Sequence, residues 1–495
     1  MVKGNEEIGT RERKEGLTSR TIKGGLWSFL SRGSMRVLDL LKLVIIASLL
    51  SPKDIGLLGI ALLTLAIFRV FTRTGFKESI IQNKEEVDHY LNTAWTILAL
   101  RGAALLGLIY VTAPYIASFF GEPRAELVLQ VMGLILLFEG LSNIGIVYFR
   151  KELDFKKRFV LDMSRTLPAF VISVYFAFVL GNVWALVYGS VAGYFIFMIT
   201  SFLLHPHKPK LEMNFEKASE MFGFGKWILG SSALVFIATQ GDDIYLGRVL
   251  GAAALGIYVL SYRLSNSPAT EITHVIGQVT FPAYSKIQDE VKKLKKGLFR
   301  TLRTTLALSI PISIGIIVFI PEFTVYVLGE KWTEVIWPAR ILAVSGLLRS
   351  VTATWGPYYK AIGKPKYGFY KNVLRVIGIF STIYWLTKFY GISGTCMSVL
   401  IGQSLAFSFD RYYMRAIGRF KIGLVELMRF LGGVLISVLL GSVFYLLTVN
   451  YIDSMITFFI TAGITGAIFF ASMYLTEKLH INPVMNEIRS IIKCI

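Results

Sequence analysis

The sequence predicts an all-α, polytopic membrane protein of about fourteen transmembrane helices. It is organised as two six-helix lobes in a parallel pseudo-twofold repeat, followed by two further helices. Three observations lead there. Of 495 residues, 54% are hydrophobic and 17% charged, with a mean hydropathy of +0.59. Lysine and arginine crowd into alternate connections between the apolar runs. The chain also matches itself at an offset of 200 to 210 residues.

The composition excludes several classes. A soluble domain of this length would carry more charge. Two cysteines, 14 prolines and no glycine period exclude disulfide scaffolds, disorder and collagen-like repeats. A span takes ~20 apolar residues, so the connections that remain are too short for a soluble catalytic domain on an anchor.

Apolar runs broken by charge, Gly or Pro place the spans at 22–49, 55–76, 90–117, 126–148, 159–180, 184–204, 222–247, 254–282, 304–328, 336–359, 369–387, 392–410, 424–448 and 454–476. The longer ones are accommodated by tilt. The first run follows some twenty polar residues and exceeds a signal-peptide core, so it reads as a retained helix. Pro311 and Pro321 are expected to interrupt 304–336, leaving the count open by one there. The expected domains are 1–207 (first lobe), 208–421 (second lobe) and 422–495 (spans 13 and 14 with a tail). In that tail Val484, Ile488, Ile491, Ile492 and Ile495 recur at helical spacing, as in an interfacial amphipathic helix.

Charge gives the orientation. The termini and the even-numbered connections hold 34 Lys and Arg, whereas the opposite face holds Lys53, Arg124, Lys331 and Lys388. This bias places both termini in the cytoplasm, and one missed helix would scramble the alternation. Most of the formal charge of +20 is thereby topology and contact with anionic lipid heads. The run Lys292-Lys293-Leu294-Lys295-Lys296 belongs to that set and is no nucleic-acid site.

The repeat is the most specific signal. Gly25-Leu-Trp27 recurs as Gly225-Lys-Trp227, and Leu50 and Gly56 recur as Leu250 and Gly256. Pro114 pairs with Pro321 and Gly121-Glu122 with Gly329-Glu330, while Tyr148, Phe159, Arg165 and Gly181 pair with Tyr358, Phe369, Arg375 and Gly391. Six helices is an even number, so both copies enter the membrane in the same direction and relate by an axis along its normal.

Charged side chains within spans are expensive, about 3 kcal/mol at the bilayer centre. On span 1, Ser28, Arg32, Arg36 and Asp39 share one helical face, and Lys42 follows. Span 2 adds Arg69 and Arg73, span 3 adds Arg101, and span 8 carries Arg263, Ser267, Glu271, His274 and Gln278 on one face. The repeat aligns Arg32, Arg36, Arg69 and Arg73 with uncharged residues, so packing is shared between lobes while this charge is not. Interhelical pairing and snorkelling account for Arg349, Arg375 and Lys226. For spans 1, 2 and 8, arginine outnumbers acid, which leaves positive charge for a bound anion. Guanidinium forks suit phosphate and carboxylate oxygens. Asp39 and Glu271 read as ion-pair partners or cation-coupling sites. Asp242 and Asp243, adjacent on one helix, point about 100° apart and make a poor metal pair. No metal cluster, phosphate loop, nucleophile elbow or cofactor motif is evident, and Cys396 within a span and Cys494 in the tail do not suggest a disulfide.

The Gly-x-Trp opening of each lobe and the hairpins Leu50-Ser-Pro-Lys-Asp-Ile-Gly56 and Leu250-Gly-Ala-Ala-Ala-Leu-Gly256-Ile-Tyr258 carry a resemblance over nearly the whole chain. It resembles the polysaccharide-transporter, or oligosaccharide-lipid flippase, family of the superfamily that also holds the multidrug (MATE) exporters. The resemblance implies translocation of a polyprenyl-diphosphate-linked oligosaccharide from the cytoplasmic to the outer leaflet of the plasma membrane by alternating access. It further implies a cationic cavity to which Arg32, Arg36, Arg69, Arg73 and Arg263 contribute, as arginines on the equivalent helices do in lipid II flippases. Expected partners are the lipid-linked oligosaccharide, membrane lipids, and polysaccharide-assembly glycosyltransferases or a polymerase. Two alternatives stand beside it: a MATE-like cation-coupled exporter, for which Asp39 would be the coupling residue, and a membrane glycosyltransferase or polysaccharide polymerase. Surplus arginine argues against a cationic drug, and short outer connections argue against the enzyme.

Overall fold

The Leu50–Gly56 hairpin shows how one helix begins. Ser51 takes an extended backbone, and its Oγ accepts from the Asp54 amide at 3.2 Å while the Ser51 amide donates to the Asp54 carboxylate at 3.4 Å. Two amides without helical partners are thus satisfied, and Pro52 opens the helix where no N–H is needed. The computed structural model describes residues 33–72, 88–151, 154–266, 290–364, 366–416 and 424–478, with isolated positions at 280, 284 and 287.

Among these residues the secondary structure is helical, with no strand. Helix α1 covers 33–49, α2 is Pro52–Phe71, α3 Asp88–Phe120, α4 Ala125–Leu141, α5 Phe155–Leu180 and α6 Trp184–Leu204. Then come α7 Phe215–Ser265, α8 Val291–Phe323, α9 Ile336–Ala353, the short α10 Trp355–Ala361, α11 Lys366–Ala416, α12 Leu424–Thr448 and α13 Met455–Lys478. Ten stretches among the described residues are long and apolar enough to cross a membrane. Helix α11 carries two predicted spans, and α7 carries the seventh and the start of the eighth. A straight 51-residue helix would run ~76 Å, far beyond a ~30 Å hydrocarbon core. In α11 the backbone turns at Gly391 (φ 56°, ψ −133°), and Thr387 and Thr395 hydrogen-bond across the turn at 2.8 Å. In α7 the same happens at Gly251 (φ 83°, ψ −179°), with Tyr258 donating back to Asp242. Glycine alone takes such angles without strain.

One expectation is corrected. Pro311 and Pro321 do not interrupt the ninth span, because α8 runs through both. A π-turn at Thr324–Leu328 then closes it at Gly329. Proline within a membrane helix is tolerated when another group satisfies the freed carbonyl.

The chain forms two compact units, one of residues 1–236 with 251–253 and 495, the other of 237–250 with 254–494. In the first, Ile46 and Leu50 pack on Ala177, Ala185 and Leu186. In the second, Leu294, Leu298 and Leu302 pack on Trp355, Tyr358 and Tyr359, while α12 and α13 contribute Val434, Phe469 and Met473 to a core with Ala307 and Ile310. The repeat is visible inside each unit. Gly121 and Gly329 both have positive φ, as do Gly181 and Gly391. A Cβ on Gly193 would stand 2.6 Å from the Arg165 carbonyl, and one on Gly402 the same distance from that of Arg375.

Candidate functional site

Two Arg/Glu-Gly pairs assemble the site. On α3, Arg101 precedes Gly102, and on α4, Glu139 precedes Gly140. A Cβ on Gly102 would stand 2.8 Å from the Leu136 carbonyl, and one on Gly140 would collide with that of Leu98. Only glycine permits this approach, and it sets Arg101 and Glu139 at the same level of neighbouring helices. The last turn of α2 delivers Arg69 there, and its Nε donates to Glu139 Oε2 at 2.9 Å. The α5–α6 hairpin, closed by Gly189 and Gly193, brings Arg165 and Tyr194.

Tyr194 lies between two guanidinium groups. That of Arg69 stands 5.6 Å from the ring centroid and that of Arg165 5.4 Å. Their Nη atoms donate to the phenolic oxygen at 3.5 and 3.3 Å. Arg101 Nε donates to Thr72 Oγ1 at 2.9 Å and its Nη2 to the Arg69 carbonyl at 3.3 Å. All five principal side chains are half-buried. Among the described residues, this cluster sets three guanidinium groups against one carboxylate. Such an excess favours an anion with several acceptor oxygens.

Of the predicted set, Arg69 belongs to this cluster. Arg36 is half-buried on α1, Asp39 is exposed on the same helix, and Arg263 is exposed near the end of α7. Lys42 reaches the Ala169 carbonyl at 3.5 Å, which places α1 beside α5. Arg32, Arg73 and Glu271 lie outside the described residues, as do Ser267 and His274. Arg165 was visible in the sequence only as the repeat partner of Arg375. The usable signal was the charged residue followed by glycine on spans 3 and 4.

The second unit is built differently around the equivalent arginine. Arg375 is 8% exposed, buried rather than snorkelling. Arg349 donates to the Tyr262 hydroxyl and, at 3.5 Å, to Asn266 Oδ1, so it bonds neutral groups across helices. Lys371 pairs with Asp410 at 3.5 Å and donates to the Thr352 carbonyl at 2.7 Å, while Tyr359 donates to Asp410 at 2.7 Å. Among the described residues no group of His, Cys, Asp and Glu is arranged to hold a metal ion.

The long apolar helices, their glycine hairpins and the repeated local packing define a multi-pass helical membrane protein with a cationic cluster in its first unit. The chain belongs to the polysaccharide biosynthesis protein family, which it matches over residues 45–337. It is 25% identical over 393 residues to the lipopolysaccharide biosynthesis protein WzxC of Escherichia coli, covering 78% of this chain and 79% of that one. It is also 25% identical over 367 residues to the teichuronic acid biosynthesis protein TuaB of Bacillus subtilis, covering 73% and 76%. Its fold is similar to that of the lipid II flippase MurJ in an inward closed conformation, with a TM-score of 0.72 at 16% identity over 92% of this chain and 99% of that one. An inward-facing MATE multidrug transporter matches with a TM-score of 0.63 at 15% identity, over 78% and 96%. At such identities the likeness is one of fold.

Proposed function

We propose that the protein translocates a polyprenyl-diphosphate-linked oligosaccharide from the inner to the outer leaflet of the plasma membrane by alternating access, as a transporter and not an enzyme. Both termini are cytoplasmic in this reading, and the partners are the enzymes that build and polymerise the glycan. The observation that carries it is the surplus of guanidinium groups around Tyr194, with Glu139 the single described carboxylate among them. A diphosphate, or an acidic sugar, supplies the missing negative charge, while the lipid tail stays in hydrocarbon.

Arg69 contributes from this cluster. Arg32, Arg36, Arg73 and Arg263 are the further proposed substrate contacts, and Asp39 and Glu271 the proposed ion-pair or coupling residues. The family membership and the names of the relatives support a role in cell-surface glycan assembly. The same positive surplus disfavours the cationic cargo that a drug exporter would carry.

A leaflet-accessibility assay on lipid-linked oligosaccharide tests this, comparing the wild type with Arg32→Ala, Arg69→Ala and Arg263→Ala in reconstituted vesicles. Loss of translocation with preserved folding is expected. Unchanged translocation in all three would remove the cationic site from the mechanism, and turnover of a nucleotide sugar by the pure protein would make it an enzyme instead.

A further inference from the structure

We infer that Glu139 is a resident counter-ion, displaced from Arg69 by the phosphate groups of the cargo and returning to Arg69 as the cargo leaves. This rests on the substrate reading above. Three features support it.

The first is charge. Without Glu139 the described cluster would hold three half-buried guanidinium groups and no anion, an arrangement disfavoured in the membrane. The carboxylate therefore keeps the empty site assembled. The second is access. The Arg69 and Glu139 side chains are 31% and 32% exposed, so the pair is not sealed by protein. A partly solvated pair held by a hydrogen bond of 2.9 Å exchanges readily. A phosphate offers more charge and more acceptor oxygens than a carboxylate, and it competes well for a guanidinium fork. The third is leverage. The Gly102–Gly140 contact fixes α3 against α4, so Glu139 moves by side-chain rotation alone, on a timescale far shorter than any helix movement.

Such a counter-ion weakens cargo binding and favours release. Its removal therefore moves affinity and turnover in opposite directions, whereas a merely structural Glu139 would lower both on substitution. Equilibrium binding of geranylgeranyl diphosphate to the full chain in nanodiscs reads the first, and the leaflet-accessibility assay reads the second. Glu139→Gln should bind the probe about tenfold more tightly, the worth of one charge-assisted hydrogen bond that no longer competes. Its turnover should fall. Glu139→Asp, with the carboxylate withdrawn by one methylene, should shift both in the same directions by less. Unchanged or weaker binding by Glu139→Gln overturns the proposal, and Glu139→Asp decides in the same way if the glutamine variant does not fold. A wild type that moves lipid-linked oligosaccharide but does not bind the diphosphate probe overturns it as well. A wild type that does neither removes the substrate reading on which it rests.

Discussion

The Nε–H of Arg340 donates a 3.0 Å hydrogen bond to the carbonyl of Ile317. Four residues after Ile317 stands Pro321, which has no N–H to give, so the helix itself leaves this oxygen unsatisfied. An arginine from α9 therefore completes the backbone of α8. Its guanidinium also lies 5.4 Å from the Trp337 ring centroid, which fixes its direction. This explains how a proline that reads as a break in sequence sits within one continuous helix.

Arg340→Ala is expected to destabilise the protein by about 1–3 kcal/mol, because it exposes a carbonyl with no partner. Pro321→Ala restores the helical donor. The double variant should therefore lose less stability than the sum of the single losses, read as a coupling energy from unfolding in detergent.

Gly102→Ala should cost stability on the overpacking scale, about 1–3 kcal/mol, since its methyl would meet the Leu136 backbone. Gly107→Ala on the same helix meets nothing within 4 Å and should be neutral or stabilising by up to about 1 kcal/mol. Thermal unfolding of the two variants side by side checks the glycine contact on which the Arg101–Glu139 level depends.

Lys371→Met should destabilise by about 3–5 kcal/mol, leaving the Asp410 charge buried without its cation. The double variant Lys371→Met with Asp410→Asn removes both charges and should recover much of that loss. A double-mutant cycle measures the difference.

Glu122 predicts an acid limb. Burial works against its charge, but Lys53 at 2.8 Å and Arg124 at 3.3 Å outweigh burial and hold the carboxyl below its ordinary value of 4.5. A depressed folded-state value means that the stabilisation is present above the unfolded value and is lost as pH falls through the folded one. Unfolding temperature should therefore drop as pH falls below that ordinary value in the wild type, and less steeply in Glu122→Gln. Lys53 and Arg124 are two of the four cations on the predicted outer face, so their structural pairing explains their exception to the charge bias.

Much of this molecule was legible in the residues. The predicted span 184–204 coincides with α6, and 424–448 with α12. The paired turns at Gly121 and Gly329, and at Gly181 and Gly391, were readable because a hairpin glycine is demanded by local backbone angle. The proline positions misled, because the group that rescues Ile317 lies 23 residues away on another helix. The arginines were recognised by type but grouped by shared helix face. That grouping places Arg69 with Arg73, whereas its described partners come from α3, α4 and α6.

Membrane class, the helical class of the fold and the twofold internal repeat follow from the amino-acid order alone. In hydrocarbon the backbone polar groups need protein partners, which a helix supplies for nearly all of its own, so apolar length and turn chemistry leave little choice. The charge state of the site followed no such local rule. Arg69 finds Glu139 70 residues further along the chain, because two glycines let α3 and α4 approach and a hairpin carries Arg165 to the same ring. Which cation is paired, and which remains for a bound anion, depends on helix faces meeting in three dimensions.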